Sequence, residues 1–538
     1  MTNVNRVFVV DGKPFFPVGG QAHNSSGYSA DTSEMAFKAT KLLHGNTLEI
    51  PLYWDKIEPK EGKFDFTTVD ELIASARRYD VKLILLWFGT WKNAKMDYVP
   101  SWMKTNSQRF KRAISHDGSE LWVLSAYCPP NREADKKAFA ALCKHLKSID
   151  GKERTVIGLQ VENEPGISGS NRDYGPEAKA ACESPVPAKL FKDMKTTGKG
   201  YIYDLWQKAG GKKSGTWSEV FGYVAPDIVD AWGIATYIDA VAEAGKAVYD
   251  IPMFINGAIG VIGNWRGTIP DEVFSSGGPV PKVLDIYKWF TPHVDLIAPD
   301  IHIRHSRGYE AACAFYNRED NPLFECESGP NTRDMFRAIA DYNSIGYFFF
   351  GNDKIVAEDG GVRPESQVMV DSVRCIAAVI PLLLKYQGTG KVHAVDQEEN
   401  MAQQGLEFEG YLGRVQFGAG HGPMPSKDWH HSSGMFTREQ PIDNNRSRGL
   451  IIQASKYEFY LVGANYSLFL RPKYSPGKIR PVQLHNDAAD SHQIMVDEGP
   501  FSQNGEFVID RARNGDELSS PGVWVEPDCG VVRVVMCD

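Results

Sequence analysis

Residues 156–166 read Val-Ile-Gly-Leu-Gln-Val-Glu-Asn-Glu-Pro-Gly. The stretch begins as an apolar run typical of a strand buried on both faces of a parallel sheet. It ends in a polar cluster that Pro165 closes, because proline cannot donate a sheet hydrogen bond. We therefore expect Asn163 and Glu164 to lie at the carboxyl end of a parallel strand, which is the end where barrel enzymes build their sites.

Short apolar runs like this one alternate with amphipathic helical patterns through the first two-thirds of the chain. Between the runs, residues 68–79 repeat apolar side chains at helical spacing at Val69, Leu72, Ile73 and Ala76. The predicted strands are 16–20, 46–52, 82–88, 156–162, 252–256, 295–302, 322–327 and 345–350. Eight strands that alternate with helices predict a (β/α)₈ TIM barrel rather than an open sheet.

The connections and the end of the chain suggest two domains. Two connections, 89–132 and 166–227, are much longer than usual and should form walls on the catalytic face. Residues 366–387 fit a closing helix. From residue 388 onward, short alternating segments are separated by Gly, Pro, Asn and Asp. We predict a catalytic barrel over 1–387 and a C-terminal antiparallel β-sandwich or jelly-roll domain over 388–538.

Composition excludes several classes of partner. The net charge of −9 disfavours nucleic acid and anionic membranes, whose phosphates the surface would repel. We find no apolar stretch long enough to cross a bilayer and no signal-peptide pattern. The eight cysteines form no C-x-x-C pair, and at this low density they suggest reduced thiols in a cytoplasmic protein.

A second cluster of carboxylates follows another predicted strand. Residues 322–329 read Pro-Leu-Phe-Glu-Cys-Glu-Ser-Gly, an apolar strand followed by two acids and small residues. A barrel would bring this cluster close to Glu164. Glycosidic cleavage with retention needs two carboxyls roughly 5–5.5 Å apart, one protonated and one ionised. The charge of one carboxylate raises the pKa of the other, which helps it to keep its proton.

The second cluster offers two candidates, Glu325 and Glu327. Alternate residues of a strand face the same way, so both could point into the barrel. Glu327 is nearer the carboxyl end of the strand, and we choose it over Glu325. Such glutamates can also simply end strands or pair with arginine. The combination of Asn-Glu-Pro at the fourth strand with Glu-x-Glu at the seventh favours a catalytic pair.

At these residues the chain resembles a clan A glycoside hydrolase, in particular the β-galactosidases of families 35 and 42. QVENEPG at 160–166 is similar to the acid/base segment of family 35, and 322–327 matches the nucleophile segment in spacing. Residues 19–26 (GGQAHNSS), 45–58 (GNTLEIPLYWDKIE) and 86–93 (LWFGTWKN) resemble a bacterial-type branch with an extra C-terminal β domain. The similarity covers roughly residues 6 to 380 and weakens beyond them.

The resemblance implies that Glu164 is the acid/base, Glu327 the nucleophile and Asn163 a ligand of the sugar 2-hydroxyl. The chain departs from the pattern at three places. Gln21 stands where the branch tends to have Glu, His302 stands where a Tyr touching the nucleophile is usual, and Glu325 stands where the pattern is normally apolar. An imidazole at that place could still hydrogen-bond Glu327. These departures bear on the preference for galactose more than on the mechanism.

Other side chains are expected around the same opening of the barrel. Trp91 could stack on a sugar face or anchor a buried loop, and Asn93 could reach a hydroxyl. Glu49 could bind a hydroxyl or an arginine inside the barrel. The remaining candidates for substrate contacts are His23 and Asn24 after the first strand and Asp353 after the eighth. The adjacent His430 and His431 lack a further ligand at metal spacing, so we expect no metal site.

The leading hypothesis is a retaining exo-β-glycosidase that hydrolyses terminal β-linked sugars, with β-D-galactosides as the first choice. A second hypothesis is an exo-β-glycosidase for another sugar, or a transglycosylase on the same site. A third is a carbohydrate-binding barrel without catalysis. We expect a small carbohydrate as partner, no cofactor, no nucleic acid and no membrane. A homo-oligomer is compatible with the sequence.

Overall fold

The structure is a computed structural model. The structure describes residues 6–259, 275–303, 306–398, 401–418, 446–473, 493–502, 504–515, 517–518, 522–526 and 530–537. His430 and His431 lie outside the described residues.

Eight parallel strands close into a barrel in which chain order is also spatial order. From first to eighth they are Val18–Gln21, Thr47–Tyr53, Lys82–Lys92, Val156–Asn163, Met253–Ala258, Leu296–Ile301, Glu325–Ser328 and Tyr347–Phe350. The eighth strand pairs with the first, with Tyr347 opposite Val18, and this pairing completes the closure. Each predicted run overlaps one of these strands, so the predicted TIM barrel is confirmed.

Helices surround the barrel and bury their apolar faces against it. In Thr67–Tyr79 the predicted stripe of Val69, Leu72, Ile73 and Ala76 is fully buried. The longer helices are Ala30–Leu42, Thr67–Tyr79, Pro129–Asp150, Pro176–Glu183, Ala188–Thr197, Tyr201–Lys208, Ala225–Lys246, Leu284–Phe290, Ser306–Tyr316, Thr332–Asp341, Gln367–Ala378 and Ile380–Tyr386. The short helical segments are Trp54–Ile57, Ser101–Lys104, Trp217–Phe221, Gly222–Val224, Pro281–Val283, Asn352–Ile355 and Pro364–Ser366.

The long connections after the third and fourth strands fold against each other. The first contains an antiparallel pair of strands, Arg112–Ile114 and Glu120–Leu124. Asp173, in the second connection, accepts hydrogen bonds from the backbone N–H of Ile114 at 3.0 Å and from the hydroxyl of Ser125 at 2.6 Å. The buried carboxylate of Asp173 therefore joins the two long connections by hydrogen bonds.

An amino-terminal hairpin, Phe8–Val10 and Lys13–Phe15, closes the bottom of the barrel. The Phe8 ring packs edge-on against Phe324, with ring centroids 5.3 Å apart. Phe324 makes the same kind of contact with Phe254 and Phe348, again at 5.3 Å. These buried rings belong to one apolar cluster with Ile84 and Cys326. The end of the barrel opposite the carboxylates is thus filled with side chains.

The C-terminal region forms two antiparallel sheets around a shared apolar core. The six-stranded sheet has the order Val392–Asp396, Arg448–Ser455, Glu458–Ala464, Gly530–Met536, Gln493–Glu498, Arg511–Ala512. The four-stranded sheet has the order Gln403–Phe408, Tyr411–Phe417, Tyr466–Pro472, Val523–Val525. Antiparallel C-terminal sheets after the barrel agree with the predicted β domain. The boundary at 387/388 stays a prediction.

The two parts of the chain are joined by polar and apolar contacts. Asp396 accepts hydrogen bonds from Arg333 at 2.8 Å and from Arg337 at 3.2 Å, both on the helix that follows the seventh barrel strand. Arg448 Nε donates to the hydroxyl of Ser372 at 3.0 Å. Apolar side chains of both parts also belong to one buried cluster. The C-terminal domain is therefore attached firmly to one side of the barrel.

Two further features concern membranes and thiols. Within the described ranges, no helix by itself has the length and apolarity of a membrane span. One pair of helices bent by 60°, Pro364–Ala378 and Ile380–Tyr386, reaches that length and apolarity only when counted together. The seven cysteines that the structure describes are free thiols.

Candidate active site

The end of the fourth strand presents Glu164 through an unusual backbone. Glu162 and Glu164 have φ angles of 66° and 45°, in the left-handed region that residues other than glycine seldom adopt. The backbone N–H of Glu164 donates to the Asn256 side-chain oxygen at 2.7 Å. Strained residues of this kind persist only where their surroundings hold them. The fifth strand, through Asn256, therefore helps to fix Glu164 at the mouth of the barrel.

A β-bulge in the seventh strand separates Glu325 from Glu327. Glu325 lies opposite Tyr347 and Ser328 opposite Phe349, so three steps on the seventh strand match two on the eighth. Glu325 turns toward the helices, where its oxygens accept hydrogen bonds from Tyr309 at 2.5 Å and Ser328 at 2.7 Å. Burial raises the pKa of Glu325 to about 8. The expectation that both glutamates face the same way was wrong.

Glu327 instead faces the carboxyl groups at the barrel mouth. Glu164 and Glu327 are both nearly buried, with 9% and 8% of their surface exposed. Burial raises the pKa of Glu164, and the negative charge of Glu327 raises it further. The structure thus brings together the two carboxyls selected from the sequence, and the environment favours the protonated form of Glu164.

A third carboxyl group, Asp300, stands beside this pair. Asp300 lies opposite Glu327 in the strand register and accepts a hydrogen bond from Asn256 Nδ2 at 2.6 Å. Burial raises its pKa well above the usual range, and the charges of Glu327 and Glu164 add to the effect. A side-chain hydrogen bond joins Asp300 to Glu164. Sequence reasoning missed both Asp300 and Asn256, although each occupies a polar position near the end of an apolar strand.

His302 contacts Glu327 directly. Its Nε2 atom lies 2.9 Å from Glu327 Oε1, and about half of the His302 side chain is exposed. The hydrogen bond to Glu327 raises the pKa of His302 above its usual range, despite partial burial. The imidazole therefore occupies the position that the resemblance implied, next to the proposed nucleophile.

The third strand contributes polar groups on the other side of Glu164. The exposed Asn93 donates an amide hydrogen bond to Glu164 Oε2. Lys92 Nζ donates to Asn163 Oδ1 at 2.8 Å, and its positive charge lowers the pKa of Glu164. The buried Nδ2 of Asn163 has no hydrogen-bond partner among the described residues. Asn163 therefore retains a donor for a ligand.

Trp91 is buried rather than exposed to the opening. Only 1% of its surface is accessible, and its ring packs edge-on against Tyr237 at 4.9 Å. Its backbone N–H donates to Glu162 Oε2 at 2.7 Å. Of the two interpretations that the sequence left open for Trp91, these contacts favour the buried anchor.

Glu49 lies fully buried inside the barrel. Neither of its carboxylate oxygens is hydrogen-bonded among the described residues, although the nearby Gln21 amide favours its charged form. Burial raises the pKa of Glu49 well above the usual range, and the charge of Glu327 contributes. Glu49 thus faces the same interior as Glu327, and no arginine pairs with it in the described part of the chain.

His23, Asn24 and Asp353 form a separate tie between the first and eighth loops. Asp353 accepts hydrogen bonds from the backbone N–H of His23 at 3.2 Å and from the hydroxyl of Ser26 at 2.6 Å. The Asn24 carbonyl accepts the Tyr53 hydroxyl at 2.7 Å. Both oxygens of Asp353 are therefore engaged within the protein. In the described ranges no group of three His, Cys, Asp or Glu side chains could hold a metal ion.

Two family models match parts of the chain. Residues 27–221 match the β-galactosidase model of glycoside hydrolase family 42, and residues 372–521 match a domain of unknown function, DUF5597. The first match includes the segment that carries Glu164, and the second starts in the closing helix and extends through most of the C-terminal sheets. No curated protein matches the chain.

Several solved structures are similar at low identity. The catalytic domain of a β-amylase from Paenibacillus polymyxa is 12% identical, with 67% of this chain and 98% of that one covered and a TM-score of 0.49. A β-galactosidase from Bacillus circulans sp. alkalophilus is 14% identical, with coverages of 69% and 57% and a TM-score of 0.47. A mutant family 42 β-galactosidase from G. stearothermophilus is 14% identical, with coverages of 68% and 57% and a TM-score of 0.44. The chain thus spans less than two thirds of these β-galactosidases.

The family 42 model covers the third and fourth barrel strands, at whose carboxyl ends Asn93, Asn163 and Glu164 lie, and these strands belong to a closed barrel followed by antiparallel C-terminal sheets. On this evidence residues 27–221 are similar to the β-galactosidases of glycoside hydrolase family 42, and an additional C-terminal domain follows the barrel.

Proposed function

We propose that the chain is a retaining exo-β-glycosidase that removes terminal β-linked galactose by double displacement, with Glu164 as acid/base and Glu327 as nucleophile. The observation that carries the proposal is the contrast between the two carboxyl groups. Burial and the charge of Glu327 favour a proton on Glu164. Glu327 instead accepts a hydrogen bond from an imidazole whose pKa is raised. One group is suited to donate a proton and the other to attack as an anion.

In the first step the ionised Glu327 attacks the anomeric carbon from the face opposite the leaving group. The glycosidic C–O bond breaks, its electron pair stays on the leaving oxygen, and that oxygen takes the proton of Glu164. A β-glycoside then gives a sugar ester of Glu327 with α configuration. His302 remains beside Oε1 of Glu327, where it can orient the attacking carboxylate.

In the second step Glu164 is ionised and acts as a base. It takes a proton from water, the water oxygen attacks the anomeric carbon, and the ester bond to Glu327 breaks. The products are a sugar of β configuration, an ionised Glu327 and a protonated Glu164. The loss of a negative charge from Glu327 during the ester stage lowers the pKa of Glu164, which suits its change from acid to base.

The groups around the pair support recognition of a sugar. The unpartnered Nδ2 of Asn163 is suited to donate to the 2-hydroxyl, a hydrogen bond that strengthens as positive charge develops on the ring. Glu49 offers carboxylate oxygens without partners to other hydroxyls. Because these groups are themselves buried, we expect them to enclose a terminal sugar. We propose that Asn93 orients Glu164 rather than binding the sugar, and that Asp353 with its partners His23 and Ser26 holds the wall of the site.

The stereochemistry of the product tests the mechanism. We expect ¹H NMR to detect the β-sugar as the first product from an aryl β-galactoside. We also expect azide to rescue Glu164→Ala with an aryl β-galactoside and to give the β-azide, because an activated leaving group still allows the ester to form. An α-azide or an α-sugar would indicate inversion and reject the assignment. Turnover of a different aryl β-glycoside alone would keep the mechanism and change the sugar.

A further inference from the structure

A second pair of carboxyl groups, Glu162 and Asp135, takes no part in the proposed mechanism. Both are fully buried. Glu162 lies near the end of the fourth strand, two residues before Glu164, and Asp135 lies on the helix Pro129–Asp150. A side-chain hydrogen bond joins the two carboxyl groups. Because an ionised carboxylate can only accept, such a bond forms only when one of the two groups holds a proton.

The hydrogen bonds around the pair indicate which group holds the proton. Asp135 accepts hydrogen bonds from Trp87 Nε1 at 3.0 Å and from the Thr90 hydroxyl at 2.7 Å. The Tyr237 hydroxyl also donates to Asp135, at 3.3 Å. In Glu162, Oε2 accepts a backbone N–H, whereas Oε1 accepts no hydrogen bond within the described ranges. Asp135 is therefore suited to be the ionised acceptor, and Glu162 Oε1 is left to carry the proton and donate it.

The electrostatics of the pair agree with this arrangement. Burial raises the pKa of Glu162 well above its usual range, and the negative charge of Asp135 raises it further. Burial also raises the pKa of Asp135, but its hydrogen bonds with Glu162 and Thr90 lower it. The facing titratable group on the helix Ala225–Lys246 is Tyr237, whose own pKa burial raises, so it stays neutral. In the described part of the chain neither carboxyl group forms an ion pair.

The Glu162 carboxyl group lies where the third and fourth strands lose their register. Between Trp87 and Lys92 the third strand takes five steps while the fourth strand takes two. The surplus residues bulge, and their backbone N–H groups need acceptors outside the sheet ladder. Glu162 Oε2 is one such acceptor, because it receives the Trp91 N–H at 2.7 Å. At Gly89, in the same bulge, a Cβ atom would lie 2.9 Å from Glu162 Oε1, so the backbone passes close against this carboxyl group.

The residues that follow the bulge contact the segment that carries Glu164. Lys92 Nζ donates to Asn163 Oδ1 at 2.8 Å. The backbone N–H of Asn93 donates to the Asn163 carbonyl at 3.2 Å, and the Asn93 amide donates to the Glu164 carboxyl group. A shift of the bulge would therefore move the groups that orient Glu164.

We propose that Glu162 keeps a proton that it shares with the ionised Asp135, and that this buried pair holds the end of the third strand against the segment that carries Glu164. Both members are positioning residues, since they act on the reaction through Asn93 and Lys92 and not through the substrate. The effect on turnover rests on the proposed function, whereas the place of the proton can be tested without a substrate.

The pH dependence of unfolding tests where the proton is. On unfolding, Glu162 meets water and ionises near neutral pH, so the wild-type protein releases a proton that Glu162→Gln does not have. Urea denaturation of the full chain between about pH 6 and pH 8 gives the unfolding equilibrium constant. We expect this constant to rise by about tenfold less per pH unit in Glu162→Gln than in the wild type. Glu71→Gln, at an exposed site, is the matched control and should keep the wild-type slope.

Two galactosides with different leaving groups test the positioning role. Gln at position 162 can donate its amide N–H to Asp135 and accept the Trp91 N–H, so we expect it to keep most of kcat. Asn at position 135 would turn an amide NH₂ group toward the donors that surround it. We expect Asp135→Asn to lower kcat about 100-fold for methyl β-D-galactoside, but less than about tenfold for 2,4-dinitrophenyl β-D-galactoside, whose leaving group needs little protonation. Partial misfolding would lower both values equally.

The outcomes distinguish this proposal from the one on which it rests. An unchanged slope in Glu162→Gln, or an equal loss for both galactosides in Asp135→Asn, would overturn the inference. Loss of turnover in Glu162→Gln with tolerance of Asp135→Asn would place the proton on Asp135 and overturn it as well. If the wild-type protein cleaves no β-glycoside, the proposed function and the positioning role both fail, and the unfolding slopes still decide which group holds the proton.

Discussion

The imidazole of His302 lies 2.9 Å from Glu327 and also acts on Glu164. Its hydrogen bond to Oε1 of Glu327 raises the pKa of His302, and its positive charge lowers the pKa of Glu164. His302 therefore acts on both carboxyl groups of the proposed pair. It hydrogen-bonds Glu327, and its positive charge favours the ionised form of Glu164. A tyrosine at this position could hydrogen-bond Glu327 but would carry no positive charge near neutral pH.

We predict that His302→Phe shifts the alkaline limb of the kcat/KM profile to higher pH. The protonated imidazole favours the ionised form of Glu164, so its removal lets Glu164 keep its proton to higher pH. Turnover should also fall roughly tenfold as Glu327 loses its hydrogen bond. The profile should be measured with an aryl β-galactoside. His116→Phe, at an exposed site, is the control, and an unmoved limb in His302→Phe would contradict the proposed coupling.

We predict that Glu164→Gln and Glu327→Gln each reduce kcat for an unactivated galactoside by several orders of magnitude. Gln keeps the shape of each side chain but can neither donate the proton nor attack the anomeric carbon. Glu325→Gln provides a matched control two residues from Glu327. Because Glu325 faces the helices with a pKa near 8, its neutral isostere should retain near-wild-type turnover at neutral pH. Full activity in either of the first two variants removes that residue from its role.

The bulge that separates these two glutamates shows where sequence reasoning stops. Alternating apolar runs were sufficient to predict eight strands and the ends that carry Glu164 and Glu327. A bulge depends on pairing with the neighbouring strand, here at Tyr347 and Phe349, and the local sequence of the seventh strand does not reveal that pairing. The choice of Glu327 followed from position along the strand, whereas in the structure its orientation follows from the bulge.

Asp300 and Asn256 were missed for a related reason. Each is a single polar residue in an apolar strand, and their importance arises only when the barrel brings the fifth and sixth strands next to Glu164. Trp91 illustrates the reverse case. Its position at the end of the third strand is as predicted, but packing against Tyr237 turns the ring into the core. The order of strands along the chain can be predicted from the pattern of apolar runs. The direction of a side chain at a strained strand end depends on the residues that pack against it.

We predict that Asp300→Ala lowers kcat about 100-fold and raises the alkaline limb of the pH profile. The hydrogen bond from Asp300 favours the ionised form of Glu164, so its loss raises the pKa of Glu164. Asn256 would lose the acceptor of its amide group. Because Asn256 accepts the backbone N–H of Glu164, the backbone of Glu164 would then be held less firmly. Asp300→Asn keeps a hydrogen-bonding group and should recover part of kcat. A purely structural role would lower stability without moving the limb.

We predict that Asp396→Ala lowers the free energy of unfolding by about 1.5–3 kcal/mol, the usual contribution of a hydrogen bond to a charged group, because Arg333 loses its carboxylate partner while Arg337 keeps Glu310. Asp396 is 8% exposed and holds both Arg333 and Arg337. Chemical denaturation followed by tryptophan fluorescence measures the change.

The control for this prediction is Asp371→Ala, which removes one partner of the more exposed Arg374. An exposed pair contributes little, so the control should cost less than about 1 kcal/mol. Equal losses in the two variants would show that the ion pair at the domain junction has no special weight.

The ring of Phe8, packed against Phe324 beneath the strands, has a consequence for turnover. Because the opposite end of the barrel is filled with side chains, the departing molecule and the incoming water must use the same opening. In the proposed mechanism, water reaches the sugar ester of Glu327 only after the first product has left through that opening, so a tightly bound departing group would slow the second half of the cycle. A departing group that stays bound could also attack the ester and take the sugar back. The aromatic cluster at the closed end thus links the affinity for the departing group to the balance between hydrolysis and transfer of the sugar to another sugar.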